Sequence, residues 1–150
     1  MAVQQQINKF IQGIGASRGI IIGKAYLVER FKVRFAQKRI GQGQVEEEVK
    51  RFLRAIQESQ DQLREIKEKI LDPEVRKHSF ILDVHLMILK DEMLLQDTVD
   101  TIRKKKVNAE LALDLTLGKL DTVFKAIEDE YLRERRSDLH YVAARIFRNL

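Results

Sequence analysis

Cysteine is absent from this chain, proline occurs once, at position 73, and histidine occurs three times. Without cysteine there is no disulfide framework, no thiolate metal site and no cysteine nucleophile, which fits a reducing cytoplasm. No uncharged apolar run approaches the roughly 20 residues of a membrane span, so no membrane insertion is expected. The opening MAVQQQINKF has no basic start followed by an apolar block, so no secretory signal is expected and a cytoplasmic location is. The basic excess is small, a net +5, and it is dispersed apart from runs at Arg103–Lys106 and Arg133–Arg136. Neither run is interleaved with aromatics and no recognition motif accompanies them, so nucleic acid is not the expected partner.

Catalytic patterns are missing too. There is no G-x-S-x-G and no P-loop. His78 and His85 stand seven residues apart, about 10 Å of helical rise, too far to share one zinc at bonds of about 2 Å. Asp91 and Glu92 are neighbours on different helix faces and make a poor acid–base pair. Glycines 13, 15, 19 and 23 do not keep a nucleotide-binding spacing, and a strand pattern follows them where a helix is required.

What remains is the composition of a helix-rich domain: 150 residues, 44% hydrophobic and 34% charged. Residues 1–12 are a polar, glutamine-rich lead-in. Residues 13–41 alternate β-branched residues with glycine turns, and the segment Ala16-Ser17-Arg18-Gly19 predicts a small β-hairpin. From 42 to 150 the pattern is helical. Val45, Val49, Phe52, Ile56, Leu63, Ile66 and Ile70 form a heptad seam over Gln44–Leu71, with Ser59 in the polar gap. Such a seam needs a long antiparallel partner, within the chain or in a second copy. Asp72-Pro73 predicts a stop and a capped restart. Helices then follow over about 74–89 and 92–105. Asn108 is placed to cap a third main helix, with Leu111, Leu115, Phe124 and Ile127 inward. A last helix reaches Arg148, with Leu132, Leu139, Val142, Ile146 and Phe147 inward. The expected fold is mainly α: an antiparallel four-helix hairpin bundle with a kinked second helix, plus the small N-terminal β-hairpin.

The stretch Phe80–Gln96, FILDVHLMILKDEMLLQ, is too apolar for a single buried stripe. Asp91 interrupts it and is placed to cap a new helical segment, with Glu92 in the first turn. A kinked, over-apolar element beside His85 suits either core packing or a docking face.

This stretch, with its F-x-x-x-x-H-x-M-I/L-L-x-D-E pattern, resembles the N-terminal domain of Enzyme I, the phosphoenolpyruvate–protein phosphotransferase of the bacterial phosphotransferase system. Three further segments fall in the same order: Gly13–Leu27 (GIGASRGIIIGKAYL), Asp129–Leu139 (DEYLRERRSDL) and Arg145–Leu150 (RIFRNL). The resemblance implies that 13–41 belongs to the phosphohistidine subdomain and 42–150 to the helical subdomain that docks a small histidine phosphocarrier protein. It implies that the acceptor histidine, in a G-G-x-T-S-H segment, and the magnesium-dependent donor site lie outside these residues. The 150-residue chain alone is then expected to hold no catalytic residue, no metal and no cofactor, and to be inactive without the rest of the enzyme.

The same resemblance implies a partner-binding set. His85 would sit at the interface and Ile88 would pack against the carrier's apolar patch. Asp91 and Glu92 would face its basic residues, with Leu94, Leu132 and Arg135 completing the face. Leu94 and Leu132 equally suit the core, and Arg135 a solvated surface. Five positions depart from the pattern. Arg18 replaces a proline. Arg76 and Lys77 stand where sugar-system members carry acids, Phe80 replaces a small residue and Met93 another acid. Two cations there would repel a basic carrier face, which points to a relative of the carrier, as in the nitrogen-related branch. Unpaired strand edges and apolar Ile20–Ile22 predict self-association of the chain. The competing reading is a free-standing helical coiled-coil interaction module that dimerises through the Val45–Ile70 seam.

Overall fold

The computed structural model describes residues 11–15, 18–20, 22–24, 35–77, 79–125 and 130–150. The chain divides into two compact units, Met1–Arg30 and Phe31–Leu150. Residues 16, 17, 21 and 25–34 of the expected β-hairpin segment 13–41 lie outside the described residues, and among those described no strand is present. Among the described residues the second unit holds a short 3-10 turn (Gln42–Gln44) and six α-helices: α1 (Val45–Lys69), α2 (Pro73–Lys77), α3 (Phe80–Ile88), α4 (Glu92–Lys105), α5 (Ala109–Lys125) and α6 (Glu130–Asn149).

The heptad seam folds as α1, about 37 Å long at 1.5 Å per residue. Glu46, Glu47 and Glu48 occupy its first turn and Lys67 and Lys69 its last, each sign at the favourable dipole end. Its partner lies within the chain. Arg51 meets Leu150 while Gln62 meets Arg145, so α6 runs antiparallel to α1. Glu46 meets Arg103 while Gln60 meets Leu89, so α4 does too.

Val45, Val49, Phe52, Ile56 and Leu63 are buried against Leu94, Ile102, Leu113, Val142 and Ile146. Ser59, the polar gap in the seam, is also buried. Its hydroxyl donates to the Ala55 carbonyl at 2.7 Å and accepts from Asn149 at 2.8 Å, so the polar group is satisfied. The seam does not stay buried to its end: Ile66 is 41% exposed. The reason is length. Helix α4 starts level with Gln60, so the last two turns of α1 project beyond it and lose its cover on that side.

Three local expectations need correction. The second helix is broken twice rather than once, at Ser79 as well as at 89–91. The Ser79 N–H and hydroxyl both donate to the Arg76 carbonyl, at 3.0 and 2.8 Å, closing a tight turn in place of an α-helical step. Asn108 precedes α5, but its side chain does not cap that helix. It accepts from Lys38 N–H at 3.1 Å and donates to the Ala36 carbonyl at 2.7 Å, tying an incoming extended segment to the bundle. The Ala109 N–H is met instead by Glu48, at 2.7 Å. On α5 the buried face is Ala109, Ala112, Leu113, Thr116 and Leu117, leaving Leu111 and Leu115 half-buried at its edge.

Asp72 and Asp91 do cap. The Asp72 carboxylate accepts from Glu74 N–H at 2.8 Å, just after which α2 begins at Pro73, and Asp91 accepts from Leu94 N–H at 3.0 Å. Helix α4 ends at Lys106, a non-glycine residue in the left-handed region (φ 51°, ψ 57°). That turn aims its carbonyl at Ile40 N–H, 2.9 Å away, beside an antiparallel bridge between Arg39 and Val107.

Candidate functional site

The kink between α3 and α4 gathers most of the residues singled out in the sequence. Leu89 is fully buried and anchors it, and Gln60 of α1 donates to the Leu89 carbonyl at 3.3 Å. The break therefore leaves an otherwise unpaired carbonyl satisfied. On the outer side Phe80, Met87 and Met93 are 64%, 65% and 60% exposed. Asp91 and Glu92, which fall between Met87 and Met93 in sequence, are exposed, and Ile88 is half-buried against the core. Phe80 and Met87 are two turns apart on α3 and share one face. The result is an apolar surface with carboxylates at one edge.

His85 is half-buried under this face. Its Nε2 is buried without a hydrogen bond and stands 3.6 Å from Asp138 Oδ1, linking α3 to α6. That separation is an ion pair only when the imidazole is protonated. Leu94 is 1% exposed and packs in the core beneath the face. Leu132 and Arg135 fall on α6, with side chains outside the described residues. His78 lies outside them as well.

Arg76 and Lys77 are both exposed, at the end of α2. Lys77 pairs with Glu74 at 2.7 Å, whereas among the described residues the Arg76 guanidinium reaches only the Ile70 carbonyl, at 3.4 Å. Arg76, Arg64, Lys67, Glu68, Ser79 and Leu86 line a groove of about 380 Å³ between α1 and the α2–α3 turn. Arg64 and Lys67 already have acids, Asp61 at 2.6 Å and Asp83 at 2.5 Å. Arg76 is therefore the cation of this groove with most charge to offer.

A second polar cluster was not legible as a unit. Arg51 donates to Glu48 and to Glu110, each at 2.5 Å, and to the Leu150 carbonyl at 2.5 Å. Burial pushes the Glu48 carboxyl up, but Arg51 and the Ala109 N–H outweigh it, and the net pKa is lowered. Glu48 and Arg51 are three apart on α1 and could be read as a local pair. Glu110 comes from 59 residues away, and no local pattern reports it.

Among the described residues, no group of three His, Asp or Glu side chains is placed to hold a metal ion. Among them too, no helix is long and apolar enough to cross a membrane.

Comparison with known proteins shows the family. The chain is 36% identical over 140 residues to a phosphoenolpyruvate-protein phosphotransferase of Haemophilus influenzae, covering 93% of this chain and 24% of that protein. It is 38% identical over 136 residues to the Bacillus subtilis protein of the same name, covering 91% and 24%. The chain thus spans about a quarter of the length of these curated relatives. A solution NMR structure of Enzyme I superposes with a TM-score of 0.72 at 32% identity, covering 79% of this chain and 48% of that one. Residues 12–135 match the family model described as PEP-utilising enzyme, N-terminal, and the chain belongs to that family.

Proposed function

We propose that the α3–α4 face docks a small histidine phosphocarrier protein and that the chain serves as the carrier-binding part of a phosphoenolpyruvate–protein phosphotransferase. The observation that carries this reading is the exposure of Phe80, Met87 and Met93 around a pinned kink, edged by Asp91 and Glu92. Large apolar side chains at the centre of a patch with charges at its rim are what a protein interface needs. Ile88 would add to the apolar centre and His85 would hold the face against α6. Leu132 and Arg135 of α6 would complete it. Leu94 would support it from below.

Phosphoryl transfer from phosphoenolpyruvate, and the magnesium it requires, belong in this proposal to a part of the enzyme outside these 150 residues. The chain by itself takes no phosphoryl group from the donor. The segment 13–41 is assigned to the phosphohistidine subdomain, and the protein to the cytoplasm. Arg76 favours a carrier with an acid opposite it, such as one of the nitrogen-related branch. Lys77 contributes less, because Glu74 already offsets its charge.

The test is an NMR titration of the isotope-labelled chain with histidine phosphocarriers of the sugar and nitrogen branches. Shifts should concentrate in residues 76–94. The double reversal Arg76→Glu with Lys77→Glu should slow association with the preferred carrier and flatten its salt dependence, with Arg76→Glu alone supplying most of the change. Shifts confined to other surfaces, or no binding to either carrier at millimolar concentration, would refute the docking reading. Association rates within twofold of wild type would remove Arg76 and Lys77 from partner choice.

A further inference from the structure

Helix α3 carries the apolar face but is held lightly. None of its nine residues, Phe80–Ile88, is buried. Leu89 anchors its end at the kink, while its roll about its own axis rests on contacts at its two edges. One edge is Lys67–Asp83, to α1, at 2.5 Å, with side chains 41% and 53% exposed. The other is His85–Asp138, to α6, at 3.6 Å, with side chains only 16% and 19% exposed. Water screens an ion pair of the first kind and leaves it little net strength. The second is shielded, so its charge state weighs more.

As it stands this second contact is incomplete. Buried polar groups are as a rule hydrogen-bonded, yet His85 Nε2 is one of two buried side-chain polar atoms without a partner among the described residues. The 3.6 Å gap to Asp138 Oδ1 lies beyond hydrogen-bond reach. Among the described residues, the neighbouring charges are engaged or turned elsewhere. On α3 itself Asp83 is about 200° round the helix from His85 and is held by Lys67. On α1, Arg64 is held by Asp61, and Glu68 lies on the groove beside Arg76 and Leu86, about 100° round α3 from His85. On α6, His140 is turned to Asp121 of α5, at 3.6 Å. The side chains of Glu134 and Arg135, one turn before Asp138, lie outside the described residues. A second proton on the His85 ring makes both nitrogens donors and adds a charge opposite to that of Asp138.

We propose that His85 and Asp138 form a protonation-dependent clasp that seats α3 against α6, with Asp138 positioning the ring, and that the docking face binds its carrier more tightly when the clasp is closed. The clasp adds regulation to the carrier-docking reading and, in its effect on binding, rests on it. Histidine side chains change charge between about pH 5 and 8. With the imidazole charged, the pair contracts to a charge-assisted hydrogen bond and fixes the roll of α3. Phe80 and Met87 are then presented in one orientation, and less ordering is left for binding to accomplish. As pH rises the ring loses its charge, the pair opens, and α3 keeps only the exposed Lys67–Asp83 contact at its edges. Docking is therefore tighter at the acidic end of this range.

The first arm of the test needs no carrier. Urea unfolding of the 150-residue chain at pH 5.5 and pH 8 is compared for wild type, Asp138→Asn, His85→Gln and the double variant. At pH 5.5 the coupling between the two substitutions should be about tenfold in the unfolding equilibrium constant, as for a charge-assisted hydrogen bond, and at pH 8 about twofold or less. On the unsubstituted chain, the NMR amide signals of residues 137–139 should titrate together with the His85 ring signals. That measurement keeps the clasp falsifiable if a variant fails to fold. The second arm measures affinity for histidine phosphocarriers of the sugar and nitrogen branches at both pH values. The carrier's own histidine titrates as well, so the quantity read is the ratio of wild-type to Asp138→Asn affinity. It should be about fivefold at pH 5.5 and near one at pH 8. Equal coupling at the two pH values, or amide signals that ignore the ring, would overturn the clasp. Coupling as expected with an affinity ratio that does not change with pH would overturn its role in docking. Coupling as expected with no carrier binding at either pH would refute the carrier reading of the face and leave the clasp standing.

Discussion

Replacing Arg51 by methionine isolates the cluster that ties both edges of the helical unit together. The guanidinium bonds Glu48, Glu110 and the Leu150 carbonyl, and the Glu48 and Glu110 side chains keep only 16% and 18% of their surface in water. Methionine preserves most of the packing volume but leaves two partly buried carboxylates facing each other. Breaking a buried ion pair from one side costs about 3–5 kcal/mol. The residual solvent contact places this case at the low end, about 3 kcal/mol. With a urea slope of about 1.5 kcal/mol per molar for a unit of this size, the midpoint should fall by about 2 M. The loss should depend on pH. In the wild type the lowered Glu48 pKa contributes stability that is fully present above its unfolded value, about 4.3–4.5, and is lost as pH falls through the folded value. In the variant, burial still raises Glu48 while only the Ala109 N–H opposes it, so the carboxyl takes up a proton at higher pH. The deficit should therefore be largest at pH 7 and shrink below about pH 4.5. Urea titrations followed by helical circular dichroism at pH 7 and pH 4 test both statements. A midpoint shift under 0.5 M at pH 7, or equal shifts at the two pH values, would refute the reasoning.

Asp91→Ala should lose the cap on α4 and about 1 kcal/mol of stability, whereas Asp91→Asn should keep the cap and lose only the charge; thermal melts and carrier titrations of the two variants separate the structural role from the proposed docking role. Lys106→Gly relieves a left-handed backbone that lysine adopts at a cost, and should stabilise the unit by about 0.5–1 kcal/mol in urea titrations. Ile14, Ile20 and Ile22 are almost fully exposed, and the chain should associate at millimolar concentration; light scattering that finds monomer alone contradicts this.

The helical unit was legible because its signals are local. The seam of α1, the Asp72-Pro73 stop and the Asp91 cap each depend on residues a few positions apart, and each appears where the spacing puts it. Predicted and observed helix ends agree within two or three residues for α1 and α4, for the start of α5 and for the end of α6. What escaped reading is non-local. The sequence cannot show that α1 outruns α4, so Ile66 reads as core yet is exposed. Asn108 reads as a cap, but the capping position was taken by Glu48, 61 residues earlier. Leu111 and Leu115 have the right spacing for the core, yet the small residues beside them, Ala109 and Ala112, allow the closer helix approach and take the buried face. On the candidate face the sequence showed an excess of apolar residues over what one stripe can bury. Which of them stay outside, Phe80, Met87 and Met93, depends on how α3 rolls against α1 and α6.

The exposed face and the buried clusters are related through α1. A docking surface must present its apolar groups without first having to order them, since ordering side chains and loops at binding subtracts from affinity. A kink between two short helices is a poor platform unless something fixes it. Here Leu89 is driven into the core at the break, and Gln60 reaches its carbonyl. Asp91 closes the first turn of α4, and Lys67 holds Asp83 of α3 at 2.5 Å. Nine residues before Gln60, Arg51 fixes the same helix to α5 and to the end of α6. That spacing is about 14 Å along one continuous helix. The seam that reads as a dimerisation stripe thus serves as an internal spine: its buried residues hold the bundle, and its polar residues brace the kink from behind. This arrangement favours a rigid recognition face over a self-pairing coiled coil, because the stripe that a second copy would need, from Val45 to Leu63, is already buried within the chain.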